Sequence, residues 1–372
     1  MSARETVRSI RDELVQRFVE RTEVIDGGLA ALLSGHHILI VGPPGTAKSM
    51  LADELCQRLE GGVYFQWLLT RFTTPEELFG AISLAALERD EYRRVTEGKL
   101  PEAHIAFLDE VFKANSSILN AILTVLNERR FHNGRDVLTV PLITLVGATN
   151  ELPEDDELQA LYDRFLLRFV VGYIDEDFRF LKMLQARPPA TRTTLSLAAL
   201  RDAQAEAAAV TVPDGVYRAL VDLRRELGRA QLVSSDRRYR QALGVLRAYA
   251  YLDGRDAVGD EDLLRLEHVL WRDPSERAEV RAAIHRLLRG YIDEARELLY
   301  QTRELRDYAH RPWESQELRS RAVVEAHTKI RQILTKVDGL LDDARGAGRP
   351  LDAVAAVRTE IESIQHEMLE AL

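Results

Sequence analysis

The stretch His37–Ser49, HILIVGPPGTAKS, decides how this chain is read. A short apolar run could be a strand or part of a helix, but no helix continues through GPPG, so HILIV reads as a buried strand ending in a turn. Gly42 to Ser49 then matches GxxxxGK[ST] in full. In that pattern Gly42 and Gly45 let the backbone curl closely around phosphates, which the loop N–H groups cradle. Lys48 brings positive charge to the β- and γ-phosphates, and Ser49 offers a hydroxyl to Mg²⁺. A helix expected over residues 50–59 adds its N-terminal dipole. The expected nucleotide-binding set is Gly42, Pro43, Pro44, Gly45, Thr46, Ala47, Lys48, Ser49 and Met50, with ATP and Mg²⁺ as ligands.

Further along, a second apolar run, Ile105–Leu108, ends in Asp109-Glu110. The first carboxylate suits the Mg²⁺ shell, and the second suits orienting or deprotonating the attacking water. Residues 117–126 read as a helix, and ITLVG (143–147) as a third strand ending at Thr149-Asn150. The Asn150 amide either forms a turn or contacts the γ-phosphate and lytic water. Arg164, in ALYDRF, and Arg237, in SSDRRYRQAL, are either structural salt-bridge donors or guanidinium forks for phosphoryl charge. Strands alternating with helices predict an α/β domain with a largely parallel sheet. Its functional side chains belong beyond the carboxyl ends of the strands.

Two segments interrupt this alternation. Residues 80–103 have mixed polarity with an EGKLP turn, and residues 130–141 contain Asn133-Gly134, a signal for a tight hairpin. Strand-like runs stop near Asp175, and residues 179–272 are mostly helical in pattern, broken at Pro188-Pro189, Pro213 and Gly254. Three long helical stretches follow, 276–306, 314–345 and 351–371. Apolar residues recur in them at three and four, a spacing that packs helix on helix and leaves open whether the third joins its own chain. The expected domains are 1–175 (nucleotide-binding α/β), 176–272 (helical lid) and 273–372 (helical hairpin or bundle).

Bulk properties narrow the function. Of 372 residues, 46% are hydrophobic and 30% charged, a soluble globular balance. The net charge of -10 offers no general attraction for nucleic acid. The single cysteine, Cys56, excludes an internal disulfide framework and a cysteine-based zinc cluster. With no signal-type N-terminus and no apolar run of about 18 residues, the chain is read as cytoplasmic, without a transmembrane anchor.

Taken together, GPPGTAKS, LLTRFTTPEELFG, EGKLPEAHIAFLDEVFKANSSILNAILTVLNERRFHNG, GATNELPEDDELQALYDRF and VSSDRRYRQAL resemble the MoxR branch of AAA+ ATPases, most closely its RavA-like subgroup. The resemblance covers roughly residues 5–272. It implies a P-loop AAA+ core with a parallel sheet, then a helical lid. By it, Gly42–Ser49 is Walker A, Asp109 and Glu110 are Walker B, and Asn150 is sensor 1. Arg164 becomes an arginine finger acting on a neighbour's nucleotide, with Arg129 and Arg130 as lesser candidates. Arg237 becomes sensor 2 on the lid, with Arg238 as the alternative. The implied protein is a homo-hexameric, chaperone-like remodeler with a protein substrate and a von Willebrand factor A-domain partner. Segments 80–103 and 130–141 are implied to lie near the ring pore or face. RavA-like proteins carry a small β-rich insertion in their C-terminal region, but here the tail after residue 272 reads as wholly helical. A nucleic-acid motor and a nucleotide-gated scaffold are the alternative functions.

Overall fold

The computed structural model describes residues 2–153, 156–175, 177–185, 192–310, 312–313, 315–346 and 351–370. The chain divides into two compact units, Met1–Tyr217 with Ser234–Arg277, and Arg218–Val233 with Ala278–Leu372. A five-stranded parallel sheet organises the first unit. Its strands are β1 (His37–Val41), β2 (Tyr64–Leu68), β3 (Ile105–Asp109), β4 (Thr144–Thr149) and β5 (Phe165–Val170). They lie in the order β2-β3-β4-β1-β5, every pair parallel. Parallel strands covered on both faces read as unbroken apolar runs, and HILIV on β1 is buried throughout.

The register brings the chemistry to one edge. Leu68 stands opposite Asp109, Leu108 opposite Gly147, and Val41 opposite Thr149. The carboxyl ends of β1, β3 and β4 therefore come level, with Gly42, Glu110 and Asn150 as the next residues out. Two strands escaped the sequence reading. In β2, an edge strand, Gln66 and Leu68 are exposed, so YFQWL shows no clean run. In β5, FLLRFV carries Arg168, a residue that argues against burial. Arg168 is nevertheless buried, because each guanidinium nitrogen donates to a carbonyl, of Phe165, Trp271 or Tyr162.

The N-terminal residues form two helices, α1 (Ala3–Arg17) and α2 (Thr22–Ser34), the latter closed by Gly35 in the left-handed region. Then come α3 (Lys48–Cys56), α4 (Ser116–Glu128), α5 (Asp177–Gln185), α6 (Leu197–Ala209), α7 (Asp214–Arg229) and α8 (Asp236–Leu252). The hairpin forms as Arg130–Asn133 paired with Asp136–Thr139. Its turn sits one residue later than expected, because Asn133 pairs with Asp136 and leaves Gly134-Arg135 as the loop. Buried Asn133 instead accepts from the Arg94 N–H at 2.7 Å and donates to its carbonyl at 3.1 Å. The two interrupting segments, 80–103 and 130–141, are thereby joined.

The second unit contains most of α9 (Arg277–His310), with α10 (Gln316–Gly346) and α11 (Asp352–Glu370). Gly290, at φ 75° and ψ 161°, breaks α9 in two. Ala295 and Leu299, Ile330 and Val337, and Ile361 and Met368 share one core, so the third helix packs against its own chain. Among the described residues the tail after 272 contains no strand. The breaks read at Pro188-Pro189 and Gly348-Arg349-Pro350, and at Arg311, lie outside the described residues. No helix among the described residues is long and apolar enough to cross a membrane.

Candidate functional site

The phosphate loop leaves β1 through Gly42, whose N–H donates to the Thr149 carbonyl at 3.0 Å. A Cβ on Gly42 would lie 2.2 Å from the Val171 carbonyl oxygen, so glycine is required for packing against the exit of β5 as well as for phosphate approach. Gly45 at φ 81° and Ala47 at φ 65° take the left-handed region, which curls the backbone into a nest. A loop that turns its N–H groups towards an anion turns carbonyls outward, and those need donors. Here Thr46 Oγ1 donates to Pro43 O at 2.9 Å, Tyr173 Oη to Pro44 O at 3.1 Å, and Arg21 Nε to Thr46 O at 3.3 Å.

Lys48 Nζ donates to Gly42 O at 2.7 Å, Pro43 O at 2.9 Å and Asn150 Oδ1 at 3.3 Å. Burial holds Lys48 below the usual lysine range, while Asp109 and Glu110 act in the opposite direction. The Asn150 amide turns its Nδ2 to Glu110 Oε1 at 2.7 Å. Lys113 Nζ approaches Glu110 Oε2 at 3.2 Å, and Asp109 Oδ1 accepts the Glu110 N–H at 3.0 Å. Glu110 itself sits at φ 51°, a conformation rare for a residue with a Cβ and concentrated at functional sites. Lys48, Asn150, Glu110 and Asp109 thus form one connected group at the carboxyl edge of the sheet.

The arginines lie elsewhere. Arg164 precedes β5, whose Phe165 stands opposite His37 at the amino end of β1. Gly42 leaves the other end of that strand, about 17 Å away at ~3.3 Å per residue, beyond the reach of one side chain. Arg164 is half-buried, and its Nε has no hydrogen-bond partner among the described residues. Arg237 is exposed. Burial, then the charges of Arg129 and Arg237, pushes His36 down to about 4, which sets both arginines near the amino end of β1. Arg129 also donates to Gly35 O at 3.0 Å and Ile143 O at 3.3 Å, and exposed Arg130 opens the hairpin beside it.

Arg238 has a different task. It is buried, and its guanidinium donates to the carbonyls of Val269, Phe165 and Leu166 and to Asp163. With its donors spent on carbonyls, Arg238 holds α8 to the start of β5, and Arg237 is the exposed member of the pair.

Sequence reasoning missed Arg21 and Tyr173. Arg21 lies in the break between α1 and α2 and is buried. Besides Thr46 O it donates to Gly172 O at 2.7 Å, and burial lowers its pKa. It ties the phosphate loop to the exit of β5, and no motif marks it. Arg21→Ala should raise the Kd for a fluorescent ADP analogue about tenfold, since a hydrogen bond from a charged group contributes ~1.5–3 kcal/mol. An unchanged Kd would show that the loop keeps its shape without Arg21.

The residues present fit a nucleotide and a divalent ion. The cradle is backbone-lined, its outward carbonyls are capped, and Ser49 and Asp109 offer the oxygen ligands that Mg²⁺ takes. Residues 5–201 match the family described as MoxR domain in the MoxR-vWA-beta-propeller ternary systems, and residues 215–284 match an AAA lid domain. Uncharacterized protein MJ0079 of Methanocaldococcus jannaschii is 42% identical over 290 residues, 77% of this chain and 76% of its own. Chaperone MoxR1 of Mycobacterium tuberculosis is 28% identical over 272 residues, 68% of this chain and 71% of its own. A solved structure of a candidate ATPase from Cytophaga hutchinsonii shares the fold, with a TM-score of 0.62 at 19% identity over 77% of this chain and 94% of its own. The MoxR model spans more than half of the chain and the lid model follows it, over a parallel sheet that levels a phosphate loop, an acidic pair and an asparagine: the chain belongs to the MoxR family of AAA+ ATPases.

Proposed function

We propose that this chain hydrolyses ATP to ADP and phosphate at sites shared between neighbouring copies in a hexameric ring, and uses the cycle to remodel protein complexes. One observation carries the reading: Lys48, Asp109, Glu110 and Asn150 occupy one end of the sheet, while Arg164 and Arg237 occupy the other. A chain whose arginines face away from its own phosphate loop offers them to another copy. Such head-to-tail contacts close into a ring when the rotation between copies closes.

In this mechanism Glu110 accepts the proton of the attacking water, held in place by Asn150 Nδ2 and Lys113. Lys48 exchanges the Gly42 and Pro43 carbonyls for phosphate oxygens, which relieves a partly desolvated cation. Ser49 and Asp109 are the residues that would hold Mg²⁺, which would supply charge neutralisation to the phosphates. Arg164 of a neighbour supplies the remaining positive charge to the transferring phosphoryl group. The family description supports a von Willebrand factor A-domain partner, and the chaperone name of the mycobacterial relative supports a protein substrate.

Sedimentation with and without ATP–Mg²⁺ tests this. The mass should rise from monomer or small oligomer to the ring when nucleotide is present. Full hydrolysis by a species that stays monomeric throughout would remove the shared site.

A further inference from the structure

An open sheet has two edges, and here they are treated differently. The β5 edge is closed: every residue of Phe165–Val170 but the last is buried, and Arg238 donates to the Phe165 and Leu166 carbonyls at 2.7 and 2.9 Å. The β2 edge is open. In a parallel ladder the N–H and C=O of one residue point the same way, and the direction alternates along the strand. Val63 O accepts from Ile105 N at 3.3 Å, and Leu69 N donates to Asp109 O at 2.9 Å, so residues 63, 65, 67 and 69 face β3. The N–H and C=O groups of Tyr64, Gln66 and Leu68 therefore point away from the sheet. Among the described residues no hydrogen bond reaches any of them.

Exposed edge backbone is ordinarily blunted by a charge, a proline or a bulge. YFQWL carries none of these, and its register with β3 is unbroken from Tyr64 to Leu68. Charged groups do stand close by. Lys99 Nζ lies 5.6 Å from the Trp67 ring, but it donates to the Glu77 carbonyl. On the other face burial, then Cys56 and Asp53 of α3, push the Tyr64 hydroxyl up. Neither charge bonds to the outward main chain.

The chemistry of such an edge defines its occupant: an extended main chain that adds a further strand. Gln66 and Leu68, the latter 56% exposed, line one face of that position. Half-buried Trp67, stacked on Phe65 at 6.2 Å, lines the other. Both faces suit uncharged, strand-forming side chains. A second copy is a poor occupant. Five residues span about 17 Å at ~3.3 Å each. Edge-to-edge pairing over that length stays far below the ~1,200 Å² at which stable interfaces between folded proteins begin.

We infer that the free edge of β2 is a docking strand for an extended, uncharged segment of a different protein, held through main-chain hydrogen bonds to Tyr64, Gln66 and Leu68. Because it reads main chain, many sequences fit. Neither the ring nor the shared nucleotide site is needed for it.

The probe is a fluorescein-labelled heptapeptide of alternating threonine and valine with lysine at each end, added to the full chain. Saturable binding is expected. Hydrogen exchange should slow at the Tyr64, Gln66 and Leu68 amides and stay unchanged at Phe65 and Trp67, which already face β3. Methylating the three central nitrogens of the peptide removes donors but keeps the side chains, and should weaken binding at least ~tenfold. Gln66→Pro should do the same without disturbing the ladder, since the lost N–H faces outward. Gln66→Ala, which keeps that N–H, should bind within about twofold of the parent. ADP-analogue affinity and hydrolysis should stay at parental values in both variants. No saturable binding, equal binding of the methylated peptide, or protection confined to other segments would overturn the inference. So would a nucleotide-free mass that doubles with concentration and returns to monomer in Gln66→Pro, which would make a second copy the occupant. If Gln66→Pro does not fold, the methylated peptide and the exchange pattern decide on the parent chain alone. Loss of ring assembly or of mixed-subunit recovery leaves these readouts unmoved, so the shared site fails separately.

Discussion

Glu110→Gln should lower phosphate release by about three orders of magnitude while ATP stays bound, since general-base catalysis contributes ~10²–10⁴. The substitution is close to isosteric. The amide Oε1 still accepts from Asn150 Nδ2, but the other terminal atom becomes a donor facing Lys113, and the base is gone. Lys48 and the loop carbonyl contacts are untouched, so affinity should change little. Single-turnover release of labelled phosphate, paired with a filter-binding measurement of retained ATP, reads both quantities. A rate within tenfold of the parent would mean that the water is activated elsewhere. A lost affinity would mean that Glu110 supports the loop instead of the chemistry.

The same variant separates the competing functions. A nucleotide-gated scaffold needs ATP bound but not turned over, so partner-dependent function would survive Glu110→Gln. A remodeler would stall on its substrate, and the trapped protein could be recovered from the native cells. A nucleic-acid motor would show hydrolysis stimulated by DNA or RNA in the parent, an outcome that the net charge of -10 disfavours.

The parts of the site that use backbone curvature or carboxylate pairs were legible in the sequence, because the chemistry demands those residue types at fixed spacing. Gly42–Ser49, Asp109-Glu110 and Asn150 were placed correctly at strand ends, and the structure adds that Lys48, Asn150 and Glu110 touch. The strands β2 and β5 were not legible. One is an edge whose exposed residues hide the run, and the other contains an arginine whose burial depends on three main-chain carbonyls, of Phe165, Tyr162 and the distant Trp271. Arg21 and Tyr173 were invisible for a related reason. Their partners are main-chain carbonyls, which leave no mark on residue identity. Arg237 and Arg238 were indistinguishable by composition, and burial of Arg238 against Val269 and Asp163 separates them. The motifs reach the MoxR family; the RavA-like subgroup is a finer placement that the matched descriptions do not name.

Mixing two inactive subunits gives the sharpest expectation. Glu110→Gln keeps ATP and so keeps its place in a ring, and it still carries Arg164. Arg164→Ala keeps Lys48, Asp109, Glu110 and Asn150. If Arg164 served its own loop, every site in a mixed ring would contain a defect and hydrolysis would stay at background. If Arg164 serves the neighbour, a working site arises wherever the loop of an Arg164→Ala subunit meets the arginine end of a Glu110→Gln subunit. At equal mixing that is about one interface in four for a head-to-tail ring, so activity should recover to roughly a quarter of the parent's. Coupling between adjacent sites would scale that figure without returning it to zero. The position of Arg164 at the amino end of β5, opposite His37 rather than beside Gly42, is why recovery is expected. Subunits carrying distinguishable tags would establish that mixed rings form, and absence of recovery in such rings would return Arg164 to its own chain as a structural residue.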